Sequence, residues 1–194
     1  VSEPDIRSIE EATAYLNKVK QILVYLEIND GNMEEGSLRC DANISIRKIG
    51  EEKYGTRTEI KNLNSFRNVA DALEAEIKRQ YDVLESGGEV YYTTMNYDAS
   101  KKVTTPMRSK EEAHDYRYFP EPDLVSVEIK NEILDKIKSE LPELPESKKI
   151  RFYKEYSLPE YDIDILIQEK PLSNFYEEIV THLDVKDEKN YKTV

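Results

Sequence analysis

Cysteine occurs once in these 194 residues, at Cys40, and histidine twice, at His114 and His182. A single thiol supports no disulfide framework, and with so little histidine no zinc site of the usual ligand spacing can be assembled. His182 stands in a charged helical context and reads as a surface residue. No long apolar run or signal peptide is present, so the chain reads as cytoplasmic, or as lying inside an organelle with its targeting segment missing. The Gly-x-x-x-x-Gly-Lys-Ser/Thr loop is absent, and Ser86-Gly87-Gly88 is a helix stop rather than a phosphate cradle. No Ser/His/Asp or Cys/His nucleophile arrangement stands out, and there is no internal repeat or low-complexity tract. Positive charge is also short. With 28 Lys and Arg against 40 Asp and Glu the formal net charge is −12, which opposes simple nucleic-acid binding through a basic footprint.

What is present is a pair of polar strand faces. In Leu38 to Arg47 a side-chain period of two sends Leu38, Cys40, Ala42, Ile44 and Ile46 to one face and Arg39, Asp41, Asn43, Ser45 and Arg47 to the other. Arg57, Glu59 and Lys61 repeat the pattern within Thr56 to Asn62. The glycine-flanked stretch between them suits a hairpin loop, so the two faces are expected side by side in an antiparallel pair. Such a face is either the solvated side of an ordinary sheet or, given its interleaved Arg, Asp and Asn, a surface for phosphate and a hard metal ion. A turn that pairs residue 48 with 56 sets Ser45 opposite Glu59 and Asp41 four residues along, roughly 13 Å away at the usual strand rise. A slip of two brings the carboxylates nearer. Cys40, on the apolar face, reads as a small core residue.

Along the rest of the chain, Ser8 to Leu26 forms an amphipathic helix with Ser8 and Glu11 spaced as a capping box. Asn64 to Ser86 is a second helix, capped by Asn or Ser and ended by Gly87-Gly88; it is expected to back the sheet and hold the Glu59 strand still. Glu89 to Tyr97 and Lys101 to Arg108 read as a hairpin turning at Asp98-Ala99-Ser100. The segment His114 to Asp123, rich in aromatics and proline, either plugs a core or presents His114 and Arg117 to a ligand. After residue 128 the composition shifts to Lys, Glu and Leu punctuated by proline, with helices expected near 130–140, 146–156, 160–168 and 172–183. The expected fold is α+β, a mostly antiparallel sheet with packed helices over residues 1–127, followed by the start of an all-helical domain over 128–194.

Three blocks carry a family resemblance. Met33 to Ser45, Thr58-Glu59-Ile60-Lys61-Asn62-Leu63-Asn64-Ser65-Phe66, and Met107 to Leu124 are similar, in that order, to the motifs of the GatB family, the B-type subunits of the aspartyl/glutamyl-tRNA amidotransferases. The resemblance is close to about residue 125 and looser through Leu141-Pro142-Glu143-Leu144-Pro145. It implies the C-terminal part of the family's catalytic cradle domain, in an internal piece of a longer chain whose other metal-binding Glu and His residues lie upstream and whose tRNA-gripping tail lies downstream. It also implies the reaction. Misacylated Glu-tRNA or Asp-tRNA is amidated with ATP and Mg2+, using ammonia that an A-type glutaminase subunit releases from glutamine, in a heterotrimer completed by a C-type subunit. An acidic residue in each of the first two motifs is associated with the family's magnesium site, and these carry over to Asp41 and Glu59. Arg39, Arg57 and Lys61, on the same faces, are expected to contact phosphate oxygens. The run from Phe119 to Leu124 continues without the synthetase-like insertion of the archaeal relative, which favours the bacterial or organellar type. The competing reading is a non-catalytic scaffold that holds partner subunits and tRNA, its carboxylates serving only in ion pairs with Arg39 or Lys61.

Overall fold

A computed structural model describes residues 1–107 and 121–182. Residues 114–120 of the His114 to Asp123 segment, His114 and Arg117 among them, lie outside the described residues. The chain divides into two compact units, one of residues 1–16 and 32–125, the other of residues 17–31 and 126–194. The composition change at 128 sits beside the 125/126 division, whereas no shift in composition marks residues 17–31.

The first unit holds the opening part of α1 (Ile9–Tyr25), whose later residues fall in the second, and the expected cap is present: the Glu11 N–H donates to Ser8 Oγ at 3.1 Å, and the Glu11 carboxylate reaches back to the N–H of Arg7 at 2.6 Å. Its residues Ile9, Ala12 and Leu16 pack on the core. Four strands follow in sheet order β1 (Cys40–Ile44), β2 (Thr58–Leu63), β3 (Thr94–Asp98) and β4 (Val103–Pro106). The β1/β2 and β3/β4 pairs are antiparallel and β2/β3 is parallel, so the sheet is mixed. A parallel pair needs a crossover, and α2 (Phe66–Glu85) supplies it. Ser65 caps α2, accepting from the Asn68 N–H at 3.1 Å, and Gly87 at φ +78° ends it with Gly88 bonded back to the Val83 carbonyl. Ile60, Leu63, Val69, Ala72, Leu73 and Tyr97 form the core between sheet and helix, with Cys40 and Ala42 packed partly buried against it. Burial raises the Cys40 thiol pKa, with a smaller push from Asp41, as suits a packed and unreactive sulfur.

The β1/β2 register differs from the one the hairpin spacing suggests. Ile44 pairs with Thr58 and Asn43 with Glu59, a slip of two from Ser45 opposite Glu59. Beyond Ile44 the backbone leaves the ladder for a side chain: Gln80 Nε2 donates to the Ile44 carbonyl and Gln80 Oε1 accepts from the Ile46 N–H, both at 3.2 Å. That exchange is why β1 stops short of the expected Arg47 and the connecting loop is longer. Gly55 belongs to the same device, since a Cβ there would collide with the Ile46 carbonyl oxygen. At the other end Cys40 pairs with Leu63 and Ala42 with Ile60, so two residues, Lys61 and Asn62, face the single Asp41. Asn62 takes φ +67° to make this bulge.

The second unit carries α3 (Asn131–Glu140), α4 (Pro145–Tyr156), α5 (Glu160–Leu166) and α6 (Lys170–His182), close to the four expected spans. Pro145 opens α4, as its fixed φ allows. Phe152, Tyr156 and Tyr176 meet with ring centroids 5.2 to 5.5 Å apart over Leu158, Ile163 and Ile167. Tyr25 donates to the Ile167 carbonyl at 2.7 Å. Buried Lys148 is satisfied by Ser173, Asn174 and Glu177, and Arg151 ties Glu143 to Glu177. His182 lies exposed at the end of α6 beside Glu178.

Candidate functional site

Alternation along β2 buries Thr58, Ile60 and Leu63 against α2 and leaves Glu59 and Lys61 on the opposite face. The bulge turns Asp41 of β1 towards the same place. Lys61 Nζ stands 3.7 Å from Glu59 Oε1 and 4.0 Å from Asp41 Oδ2. Two legs of that length meeting at one ammonium put the two carboxylate oxygens less than about 8 Å apart, in place of the 13 Å that the unslipped register implies. Glu59 Oε2 accepts from Thr94 Oγ1 at 3.1 Å across the parallel pair, and Asn43 is the residue directly opposite Glu59.

The site's electrostatics are those of a loosely held trio. Both Lys61 contacts are longer than a hydrogen bond, and the side chains of Lys61, Asp41 and Glu59 keep 42%, 53% and 24% of their exposure. Pairs of this kind contribute at most about 1 kcal/mol each. The carboxylates therefore retain acceptor positions that a cation of higher charge can take. Their hard oxygens suit magnesium, which is commonly bound through one or two carboxylates with water and substrate phosphates completing the shell. Among the described residues no group of three or more His, Cys, Asp and Glu forms a metal cage. Asp41 and Glu59 thus fit part of a magnesium shell.

Of the five residues singled out in the sequence, the structure brings Asp41, Glu59 and Lys61 together and sets the two arginines to either side. Arg39 lies over Gly36, at φ +78°, where an added Cβ would sit 3.6 Å from its guanidinium. With Glu34, Asp41, Asn62 and Asn64 it lines an open hollow of about 370 Å³ next to the trio. Arg57 stacks on Tyr92, 5.3 Å from the ring centroid, at the other end of the same face. Arg47 turns into the loop, over the Tyr54 ring and on to the Glu52 carbonyl.

Sequence reasoning missed two features. One is the Thr94 hydroxyl, set beside Glu59 because the expected strand over Glu89 to Tyr97 pairs parallel with β2, a pairing the sequence did not indicate. The other is a polar layer beneath the sheet, where Glu76 and Gln80 of α2 are 0% and 1% exposed. Glu76 accepts from Thr58 Oγ1 at 2.8 Å, Thr104 Oγ1 at 2.6 Å, Gln80 Nε2 at 3.1 Å, and Arg79 through Nε at 2.9 Å and Nη2 at 2.6 Å. Burial pushes its carboxyl pKa up, and the bonds from Arg79, Thr104, Thr58 and Gln80 more than offset that, leaving it below the usual carboxylate range. The available signal was spacing: Glu76 and Gln80 continue the stripe of Val69 and Leu73 at helical intervals, where apolar residues are expected.

The chain is similar in sequence to known proteins. A family profile described as the GatB/GatE catalytic domain matches residues 1–135. The chain is 57% identical over 180 residues to the B-type subunit of the aspartyl/glutamyl-tRNA(Asn/Gln) amidotransferase of Chlorobium phaeobacteroides, covering 93% of this chain and 38% of that protein. It is 56% identical over 181 residues to the protein of the same name from Halorhodospira halophila, again 93% and 38%, and 57% identical over 178 residues to that of Trichlorobacter lovleyi, 92% and 38%. The chain therefore spans under two-fifths of the length of the curated relatives it matches.

Proposed function

The chain belongs to the GatB/GatE catalytic-domain family, and from that premise we propose that it is part of a tRNA-dependent amidotransferase converting misacylated Glu-tRNA(Gln) or Asp-tRNA(Asn) to the amidated forms. The observation that carries the reading is the convergence of Asp41, Glu59 and Lys61 on one solvent-facing side of the sheet, beside a hollow lined by Arg39.

The chemistry asks for such a surface. A carboxylate is a poor electrophile, so the side-chain carboxylate of the esterified residue attacks the γ-phosphorus of ATP, forming an acyl phosphate and releasing ADP. Ammonia from glutamine then attacks the acyl carbon, phosphate leaves with the bonding pair, and the amide remains after loss of a proton. Phosphoryl transfer of this kind is accelerated by positioning and by charge placed around the moving phosphoryl group. Asp41 and Glu59 would hold magnesium, which supplies neutralisation of the phosphate charge when bound. Thr94, donating to Glu59, fixes the orientation of that carboxylate. Lys61 carries the positive charge nearest to both and turns to the phosphate oxygens; Arg39, at the hollow, is placed for a phosphate or the acyl phosphate. Arg57 presents a guanidinium plane backed by Tyr92. The glutaminase step belongs to an A-type partner, with a C-type partner completing the assembly, in a cytoplasmic or organellar enzyme.

A non-catalytic scaffold, with the carboxylates serving only as ion-pair partners of Lys61, is the competing reading, and the similarity to amidotransferase subunits supports the catalytic one over it. The deciding measurement is amidation of Glu-tRNA by the complete complex carrying Glu59→Gln, with glutamine hydrolysis followed in parallel. Amidation is expected to fall by at least about a hundredfold, since charge stabilisation at a transition state contributes on that order, while hydrolysis of free glutamine persists. Unchanged amidation would sink the catalytic assignment and leave the scaffold.

A further inference from the structure

The strand pair that carries the two carboxylates has more than one way to pair. The 45–57 loop permits the two-residue offset in which Ser45 faces Glu59, with the same side chains on the same faces, because a slip of two preserves alternation. Core packing alone discriminates weakly between such registers, since either one buries an alternating apolar set. What differs is Asp41, which moves about 7 Å along the strand from Glu59 for every two residues of slip.

The polar layer under the sheet touches the pair where the choice is made. Thr58 and Ile44 are register partners, immediately beside Glu59 and Asn43. Thr58 donates to Glu76 at 2.8 Å and accepts from Gln80 at 2.9 Å. Gln80 in turn holds the Ile44 carbonyl and the Ile46 N–H, and itself donates to Glu76. In the slipped register Thr58 would face Ile46, and Gln80 would lose the β1 groups it now binds. Glu76 is held by Arg79, whose guanidinium anchors the carboxylate from its own helix.

We propose that Glu76 and Gln80 are positioning residues of the site: by clamping Thr58 and the Ile44–Ile46 backbone from beneath, they fix the β1/β2 register that brings Asp41 and Glu59 together beside Lys61. Neither touches substrate, and both act through β2 and β1. The inference rests on the reading of Asp41 and Glu59 as magnesium ligands.

Thr58 and Thr104 make a matched pair for testing it. Each donates one hydroxyl to Glu76, at 2.8 and 2.6 Å, and each is buried, but Thr58 lies on β2 and Thr104 on β4. A purely structural role for the layer predicts equal consequences for Thr58→Val and Thr104→Val. The experiment is titration of the full-length protein in its complex with Mn2+ alone, read by electron paramagnetic resonance, with thermal unfolding and hydrogen exchange of the 40–46 segment measured on the same samples. Thr58→Val is expected to weaken Mn2+ binding about tenfold and to speed exchange in 40–46. Thr58→Ser, which keeps the hydroxyl, restores both, and Thr104→Val stays within twofold of the parent at a similar loss of Tm. Gln80→Met, which removes the ties to β1, serves if Thr58→Val does not assemble, with the same weakening expected. Equal effects at Thr58 and Thr104, or none at Thr58 and Gln80, overturn the clamp. Asp41→Asn and Glu59→Gln separate the two claims: if they bind Mn2+ like the parent, the metal-site reading itself has failed; if they do not and the threonines behave alike, only the clamp has.

Discussion

Glu76 is a carboxylate without access to water, a placement that costs several kcal/mol unless the charge is paired and every lone pair is used. Here five donor contacts from Thr58, Thr104, Gln80 and Arg79 meet it. Its pKa is lowered in the folded protein, so its contribution to stability is fully present above the unfolded carboxyl value of about 4.3 and is lost as pH falls through the lower folded value. Glu76→Gln keeps the shape but sets an amide N–H against donors. It is expected to destabilise by about 2 kcal/mol at pH 7, with the gap to the parent closing once the pH drops below about 4. Urea unfolding of both proteins across pH 3 to 7 checks this; a gap that does not depend on pH would show that Glu76 is not held as an anion. At this scale the site face was legible, because Asp41, Glu59 and Lys61 alternate with apolar residues. The layer beneath was not, because a Glu and a Gln on a helical stripe are conventionally assigned to solvent, and only the facing threonines on β2 and β4 explain their burial.

At the scale of the elements, helix positions follow from periodicity and caps: Ser8, Ser65, Gly87 and Pro145 all mark ends where the chain was expected to turn. Strand register is less legible, since it depended on loop length and on a side chain more than thirty positions away. The parallel β2/β3 pair is of the same kind, because a helix between two strands fits either direction until the hydrogen bonds are seen. Gly55 is the position where sequence and register meet. A methyl group there strikes the carbonyl of Ile46, two residues past the end of β1, whose N–H Gln80 holds. Gly55→Ala is expected to cost about 1–3 kcal/mol through forced backbone displacement, whereas Gly50→Ala, with nothing near its Cβ but a φ of +92°, bears only backbone strain of about 1 kcal/mol or somewhat more. Thermal unfolding together with exchange of the Ile46 amide distinguishes them: only Gly55→Ala should expose that amide. If both variants protect it equally, the close approach does not hold the strand end.

For the whole molecule the constraint is charge. The chain has twelve more acidic than basic side chains, by formal count −12, yet the proposed substrate is an RNA. Among the described residues, three cations of the site strands already have partners: Lys61 two carboxylates, Arg57 the Tyr92 ring, and Arg47 the Tyr54 ring and a loop carbonyl. Those three are poorly placed to displace counterions from phosphates, and each displaced phosphate counterion contributes about 0.7–0.9 to the slope of log K against log salt. On the proposed function, this acidic surface is suited to receive the esterified end of the RNA at the Asp41 and Glu59 face rather than to grip its backbone. It follows that Arg39→Ala and Arg57→Ala in the complete complex should each lower the magnitude of that slope for Glu-tRNA by no more than about 1, even where amidation itself falls steeply. Binding measured by fluorescence anisotropy between about 50 and 200 mM salt, the range over which such slopes are resolved, gives the answer. A slope cut by half or more by either substitution would mean that this acidic part is a principal RNA-binding surface, and that its net charge conceals a basic track on the site face.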